Sequence, residues 1–197
     1  MSQEVEIEFK NLLTKEEFNG MMHQYNISTN DFISQENHYF DTINFALKAR
    51  HSALRIRKKQ DDYILTLKQP LEQGLLETHQ VLTKEQAVLL LQDKSSMITG
   101  EIYEAIKKTG IDPECLKYLG TLQTDRVEIV DGENLLVLDH SYYLNHEDYE
   151  LEYEVKDPIE GKKKFLEILK QNNIPIRNTK NKILRFFELK EKKEDHI

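Results

Sequence analysis

Near its start the sequence contains a stretch in which charged and apolar residues alternate without a break, Glu4-Val5-Glu6-Ile7-Glu8-Phe9-Lys10. The side chains of an extended strand point to opposite faces in turn, so the charged residues would share one face. Carboxylates in a row along one strand repel one another unless positive charge lies among them. One lysine supplies part of that charge, and a divalent cation is a natural source of the rest. The stretch therefore predicts a strand with either a solvated charged face or a metal-holding one.

The same alternation returns in the middle of the chain. Arg55 and Arg57 would lie on one face of residues 53–58, and Lys68 ends a second alternating segment, 63–68. A short polar turn separates the two segments. This arrangement is typical of an antiparallel hairpin that presents basic residues on one face.

A third alternating segment, residues 149–155, repeats the acidic pattern of the first stretch. Glu150, Glu152 and Glu154 would share one of its faces, and apolar residues the other. With the remaining alternating segments, the chain is predicted to contain about eight antiparallel strands. The remaining alternating segments are residues 38–42, 75–82, 122–130 and 135–139.

Helix signals lie between the strands. Thr14 with Glu17, and Thr83 with Gln86, have the spacing of a capping box, in which the first side chain caps the helix and the fourth residue reaches back. The second box opens a helical insert at about 83–118. Further helices are predicted at about 158–169 and 179–189.

Composition narrows the class of protein. A chain of 197 residues without a flexible linker is predicted to form a single domain over 1–197. Its net charge of -8 argues against attraction to an anionic membrane or to extended nucleic acid. No apolar run approaches the roughly 20 residues that span a bilayer, and no signal-peptide core is present. We therefore expect a cytoplasmic protein; the sequence leaves its oligomeric state open.

The charged faces suggest a binding site. If helices cover the apolar faces, the strands can close into a barrel whose polar interior holds metal ions and a polyanion. Carboxylates suit Mg²⁺ or Mn²⁺, and arginine and lysine suit phosphate oxygens. The predicted metal ligands are Glu6, Glu8, Glu152 and Glu154. The predicted phosphate ligands are Lys10, Arg55, Arg57, Lys68, Arg126 and Lys182.

A simpler interpretation stays open on these patterns alone. Each of these residues could be a solvated surface charge, and the arginines could form cross-strand salt bridges of little energetic value. His79 would share the face of Glu77, but the histidines show no spacing typical of metal ligands.

In the order of its motifs the chain resembles the CYTH superfamily, the adenylate cyclase and thiamine triphosphatase group also called triphosphate tunnel metalloenzymes. Within it, the chain is similar to the small bacterial YjbK-like branch. The hallmark Glu-x-Glu-x-Lys stands at Glu6-Ile7-Glu8-Phe9-Lys10, and the other motifs follow over nearly the whole chain. They are Tyr39-Phe40-Asp41-Thr42, Ala53-Leu54-Arg55-Ile56-Arg57, Thr66-Leu67-Lys68, Glu77, Arg126, Leu138-Asp139, Glu150 to Glu154, and Lys182.

The resemblance implies an α+β fold: a closed eight-stranded antiparallel β-barrel with helices packed outside, binding a triphosphate and Mg²⁺ or Mn²⁺. It assigns the metal and phosphate roles to the residues given above, and Glu77 and Asp139 match acidic tunnel positions of the family. We expect Glu8, Glu154 and Lys10 to act in catalysis, and Glu4 and Glu150 to be further tunnel positions. One departure is visible: many relatives carry an arginine just before the glutamate of the fifth strand, where this chain has Leu75 and Leu76.

The function that this resemblance implies is metal-dependent hydrolysis of a small triphosphate: inorganic tripolyphosphate, thiamine triphosphate or a nucleoside triphosphate. Glu8 or Glu154 would orient the attacking water. One alternative is an adenylate cyclase that makes cyclic AMP and pyrophosphate from ATP. The other is a non-catalytic module that binds a triphosphate or polyphosphate.

Overall fold

The computed structural model describes residues 2–92 and 98–194, and its strands and helices follow the alternating and periodic segments of the sequence. The strands are β1 (Ser2–Glu6), β2 (Glu8–Leu13), β3 (Ile33–Thr42), β4 (Ala53–Lys59), β5 (Asp62–Pro70), β6 (Leu75–Leu82), β7 (Leu116–Asp131), β8 (Asn134–Tyr143) and β9 (His146–Glu154). The helices are α1 (Lys15–Gln24), α2 (Lys84–Leu91), α3 (Gly100–Lys108), α4 (Pro158–Gln171) and α5 (Lys182–Glu194).

The described residues form nine strands where about eight were predicted, because the N-terminal stretch is two strands that meet at Ile7. β1 pairs with β6, whereas β2 pairs with β9. The carbonyl of Ile7 accepts a hydrogen bond from the backbone N–H of Val155 at 2.9 Å. The alternation of residue types does not reveal which neighbouring strand a segment pairs with. The sequence pattern therefore predicted a single strand here.

The chain divides into two compact units. The first comprises Met1–Glu6 and Gln35–Leu122, in the strand order β1-β6-β5-β4-β3-β7. The apolar faces of its strands form a core with α2 and α3. Leu54 and Ile56 of β4 are fully buried there, together with Ile102 and Ile106 of α3. Both helices lie within the predicted helical insert, and Thr83 caps α2 in the predicted capping box.

The second unit comprises Ile7–Ser34 and Gln123–Ile197, in the strand order β7-β8-β9-β2. Leu151 and Tyr153 of β9 are buried in its core. The core is completed by apolar residues of α1 and α4, among them Met21 and Ile168. Thr14 caps α1 through the predicted capping box with Glu17. None of the described helices is long and apolar enough to cross a bilayer.

Close packing of α4 against the end of β9 depends on Gly161. A Cβ atom built at this position would lie 2.6 Å from the Val155 side chain. We expect Gly161→Ala to lower the free energy of unfolding by about 1–3 kcal/mol, because overpacking outweighs the better helix propensity of alanine. Urea denaturation measures the difference.

Gly20 in α1 provides the matched control, since no atom lies within 4 Å of a Cβ built there. Gly20→Ala should raise the free energy of unfolding by roughly 0.5–1 kcal/mol. Equal effects of the two substitutions would contradict the packing assigned to Gly161.

Candidate functional site

The predicted site residues of the N-terminal stretch fall into two groups. Glu4 and Glu6 lie on β1 in the first unit, whereas Glu8 and Lys10 lie on β2 in the second. Each unit therefore carries its own part of the predicted set, on the face of its strands opposite the apolar core.

The first polar face comprises residues of β1, β6, β5 and β4 whose side chains share one side of the sheet. Glu4 pairs directly with Glu77, and Glu77 pairs with Lys68. Directly opposed residues of antiparallel strands share a face. Arg55, opposite Thr66, extends that face onto β4. It contains the predicted residues Glu4, Glu6, Arg55, Arg57, Lys68 and Glu77.

Lys68 links two carboxylates of the first polar face. Its Nζ donates to Glu6 Oε2 at 2.6 Å and also pairs with Glu77. Burial by itself raises the pKa of the Glu77 carboxyl, but Lys68 and then Arg55 outweigh the burial, and the pKa falls to about 2. Glu77 is therefore a buried carboxylate that stays ionised.

This lowered pKa predicts a pH-dependent effect of Glu77→Gln. A carboxyl whose pKa falls on folding stabilises the folded state at pH values above its ordinary pKa of 4.5. That contribution is lost as the pH falls towards the lowered pKa of about 2. We expect the variant to unfold more easily at pH 7, by on the order of 2–3 kcal/mol, and by less at pH 3.5. Urea denaturation at both pH values measures this.

Glu72→Gln is the control for this comparison, because Glu72 is exposed in the turn between β5 and β6. It should change the free energy of unfolding by less than about 0.5 kcal/mol at either pH. A penalty for Glu77→Gln that grows on acidification would contradict the electrostatic role of Glu77.

His79 takes part in the first polar face, as its position two residues after Glu77 suggested. Its Nε2 lies 3.1 Å from Glu4 Oε1 and 3.4 Å from Glu77 Oε2. Its Nδ1 lies 3.0 Å from the hydroxyl of the buried Thr66, which orients the ring. Glu4, Glu77 and His79 could together offer ligand atoms to a metal ion.

The second polar face comprises residues of β7, β8, β9 and β2. Asp139 pairs directly with both Arg126 and Glu150, and Glu152 pairs with Lys10. Asp139, Glu150 and Glu152 are only 0%, 0% and 4% exposed. These three carboxylates are therefore not part of a solvated charged face. The predicted residues gathered here are Glu8, Lys10, Arg126, Asp139, Glu150, Glu152, Glu154 and Lys182.

Arg126 binds two carboxylates of the second polar face. Its Nε and Nη2 donate to the two oxygens of Asp139 at 2.8 and 2.6 Å. Nη2 also donates to Glu152 Oε2 at 2.6 Å. Such forked contacts fix the positions of both carboxylates, because the guanidinium is planar and rigid.

Lys182 reaches the same carboxylates from the first residue of α5. Its Nζ lies 2.8 Å from Asp139 Oδ2 and 2.5 Å from Glu152 Oε1, and it also pairs with Glu150. The resemblance had assigned this lysine to the site, and the structure places it among the acidic residues.

Glu150 and Glu152 differ in their tendency to hold a proton. Burial, the largest influence on both carboxyls, favours the protonated form. For Glu150 burial prevails over the attraction of Lys182, and the pKa rises to about 7. For Glu152 the charges of Lys182 and then Arg126 prevail, and its pKa lies well below the usual range. The pair therefore takes up one proton near neutral pH, while Glu152 favours the ionised form.

The structure adds two residues that were not predicted as part of the site. Arg185 of α5 donates from Nη1 to Glu150 Oε2 at 2.5 Å and from Nε to Asp148 Oδ2 at 2.9 Å. Asp148 stands two residues before Glu150 and so shares its face, and Arg185 stands one helical turn after Lys182. Those spacings were the available signal in the sequence.

Three buried carboxylates of the second polar face could hold a hard divalent cation in the place that the Lys182 ammonium takes in this structure. Asp139, Glu150 and Glu152 each offer an oxygen, and these oxygens lie within 4.8 Å of one another. An all-carboxylate set suits Mg²⁺ or Mn²⁺. Of the four residues predicted to bind metal, Glu152 alone belongs to this group among the described residues. The other three contact basic residues of their own units: Glu6 with Lys68, Glu8 with Lys10, and Glu154 with Arg126.

Comparison with known proteins identifies the family. A model of the CYTH domain matches residues 4–187. The chain is 50% identical over 192 residues to YjbK of Bacillus subtilis (strain 168), whose name proposes a triphosphatase; the match covers 98% of this chain and 99% of that protein.

Solved structures share the fold. The crystal structure of a Bacillus halodurans protein (bh2851), described as a candidate adenylate cyclase, is 46% identical with a TM-score of 0.90, covering 95% of this chain and 100% of that one. The Hippeastrum protein HpAC1, described with a dominant triphosphatase activity, is 24% identical with a TM-score of 0.72, covering 93% and 95%. The second likeness is one of fold alone. The predicted fold class is thereby confirmed, and the chain belongs to the CYTH family, within the branch of YjbK.

Proposed function

We propose that this chain hydrolyses a small triphosphate in a reaction that depends on a divalent metal ion. The observation that carries the proposal is the buried carboxylate group Asp139, Glu150 and Glu152, compensated by Arg126 and Lys182. Burying this many charges costs free energy. The attraction among the charges does not reliably offset that cost. They are typical of a site that binds charged ligands. The proposed activity of the Bacillus subtilis relative supports the same chemistry.

In this proposal Asp139, Glu150 and Glu152 hold Mg²⁺ or Mn²⁺, with Glu6, Glu8 and Glu154 as the remaining candidates. A bound metal ion would neutralise charge on phosphoryl oxygens. Glu8 and Glu154 face each other directly in the β2–β9 pairing and are both partly exposed. Either carboxylate can therefore accept a hydrogen bond from a water molecule and orient it.

The basic residues bind phosphoryl oxygens in this proposal. Arg55, Arg57 and Lys68 do so on the first polar face, and Lys10, Arg126 and Lys182 on the second. Burial lowers the pKa of Lys10, but Glu8 and then Glu152 raise it more, so that it stands above its ordinary value. Lys10 therefore keeps its positive charge at neutral pH and can stabilise negative charge that develops during phosphoryl transfer.

Inorganic tripolyphosphate, thiamine triphosphate and nucleoside triphosphates are the substrate candidates. A specific observation keeps adenylate cyclase as the second function: the Bacillus halodurans relative, 46% identical, is described as a candidate for that activity. A cyclase would use a ribose hydroxyl as the nucleophile in place of water. A pure binding module would need the basic residues but not the buried carboxylates.

Product analysis with ATP separates these functions. The chain is incubated with ATP and Mg²⁺ or Mn²⁺, and orthophosphate, pyrophosphate and cyclic AMP are quantified together. We expect orthophosphate or pyrophosphate with the matching nucleotide and no cyclic AMP. Cyclic AMP formed in equal amount with pyrophosphate would assign the cyclase, whereas tight ATP binding without any product would assign the binding module.

A further inference from the structure

Asn37 of β3 is a buried amide with an unsatisfied oxygen. The residue is 2% exposed, and within the described part of the chain its Oδ1 has no hydrogen-bond partner. Burying an amide oxygen without a partner costs free energy, because the group loses its hydrogen bonds to water. Native proteins keep few such groups, and each requires an explanation.

The position of Asn37 places this amide beside residues proposed to bind phosphate. In the β3–β4 pairing Asn37 lies directly opposite Arg57, and Tyr39 lies directly opposite Arg55. Directly opposed residues share a face of the sheet, with their Cβ atoms about 5 Å apart. Asn37 therefore extends the first polar face onto β3, next to the arginines assigned to phosphate.

We propose that Asn37 is a substrate-binding residue whose amide hydrogen-bonds to the bound triphosphate beside Arg57. A half-turn about the Cβ–Cγ bond exchanges Oδ1 and Nδ2, so the amide can present its NH₂ group to a phosphoryl oxygen. An amide adds a directional donor without adding charge, and so favours one placement of the phosphate chain over others. This inference rests on the proposed triphosphate-binding function.

A structural role would leave a different pattern, which the chain itself illustrates. Asn11 of β2 is also fully buried, but its amide is satisfied. Its Nδ2 donates to the carbonyls of Leu12 at 2.9 Å and Pro175 at 3.1 Å. Its Oδ1 accepts from the backbone N–H of Arg177 at 2.6 Å. The Asn11 amide links separate segments of the chain through its hydrogen bonds. The Asn37 oxygen makes no such hydrogen bond in the described part of the ligand-free protein.

The two asparagines provide a matched experiment on the full chain, Asn37→Leu against Asn11→Leu. Binding of inorganic tripolyphosphate is measured by calorimetry in EDTA, without metal and therefore without metal-dependent turnover, and Tm is measured without ligand. We expect Asn37→Leu to keep or raise Tm while weakening tripolyphosphate binding about 10-fold or more. Asn11→Leu should lower Tm and leave the affinity of the folded protein unchanged.

The outcomes separate the inference from the function on which it rests. If the wild-type chain binds tripolyphosphate and Asn37→Leu binds it equally well, the inference is wrong and the proposed function stands. If the wild-type chain binds tripolyphosphate neither in EDTA nor with Mg²⁺, both are wrong. Should Asn37→Leu not fold, Asn37→Ala removes the amide without adding bulk, and wild-type affinity in that variant would overturn the inference.

Discussion

Glutamine in place of Glu152 is expected to lower the metal-dependent rate of tripolyphosphate hydrolysis by about 100-fold or more. The substitution keeps the shape of the side chain but removes a negative charge from the buried carboxylate group. Arg126 and Lys182, which both donate to Glu152, lose part of their compensation, so stability should fall by about 3 kcal/mol. Rates are therefore compared per mole of protein shown to be folded by circular dichroism.

Glu147→Gln is the matched control, on the same strand β9. Glu147 is exposed, and its carboxylate lies 2.9 Å from His140 Nε2. The control should hydrolyse tripolyphosphate at the wild-type rate. A Glu152→Gln variant within twofold of the wild-type rate at subsaturating as well as saturating Mg²⁺ would contradict the role of the buried carboxylates in binding metal.

Removal of the Arg57 side chain should have the second large effect. We expect Arg57→Ala to reduce kcat/KM for tripolyphosphate by about 100- to 1,000-fold, because the guanidinium is proposed to stabilise charge on the transferring phosphate. Arg57→Lys should recover only part of the loss, since an ammonium group lacks the planar fork that matches two phosphate oxygens. Steady-state kinetics at fixed Mg²⁺ concentration measures both variants.

Substitution of the neighbouring residue Lys58 tests whether the loss of activity depends on the face of β4 that a basic residue occupies or on its positive charge alone. Lys58 lies on the same strand but on the opposite face, where its Nζ donates to Glu36 at 2.8 Å. Lys58→Ala removes the same charge and should leave kcat/KM within about twofold of wild type. If both variants lost activity equally, general electrostatic attraction would explain the result and the assignment of Arg57 would fail.

Local patterns were sufficient to predict most strands and helices. The alternation of Leu54, Arg55, Ile56 and Arg57 predicted β4 because one face packs in an apolar core and the other carries charge. The two predicted capping boxes are present because their hydrogen bonds are local, within four residues. Such features depend little on the rest of the fold.

Features set by tertiary pairing could not be predicted in the same way. The break at Ile7 arises because β1 and β2 have different partner strands, and nothing within the alternating stretch marks that change. β7 begins at Leu116, earlier than the predicted start at residue 122. The alternation of apolar and polar residues is weak before residue 122, so the local pattern did not mark this part of β7.

The site was predictable in its residue types but not in its pairings. The resemblance named Arg126, Asp139 and Lys182, and the structure gathers them around Glu152. Asp148 and Arg185 were missed because their contact depends on how α5 packs against β9. Asn37 was missed as well, since only the three-dimensional structure reveals that its amide oxygen lacks a partner.

The measurement that tests the central proposal most directly is the initial rate of orthophosphate release from inorganic tripolyphosphate, with Mg²⁺, with Mn²⁺ and with EDTA. We expect steady release with one or both metal ions and a fall to the background rate in EDTA. Orthophosphate release that EDTA leaves unchanged would contradict the metal dependence. No release with either metal ion, from protein that is folded, would contradict the assignment of this CYTH chain as a tripolyphosphate hydrolase.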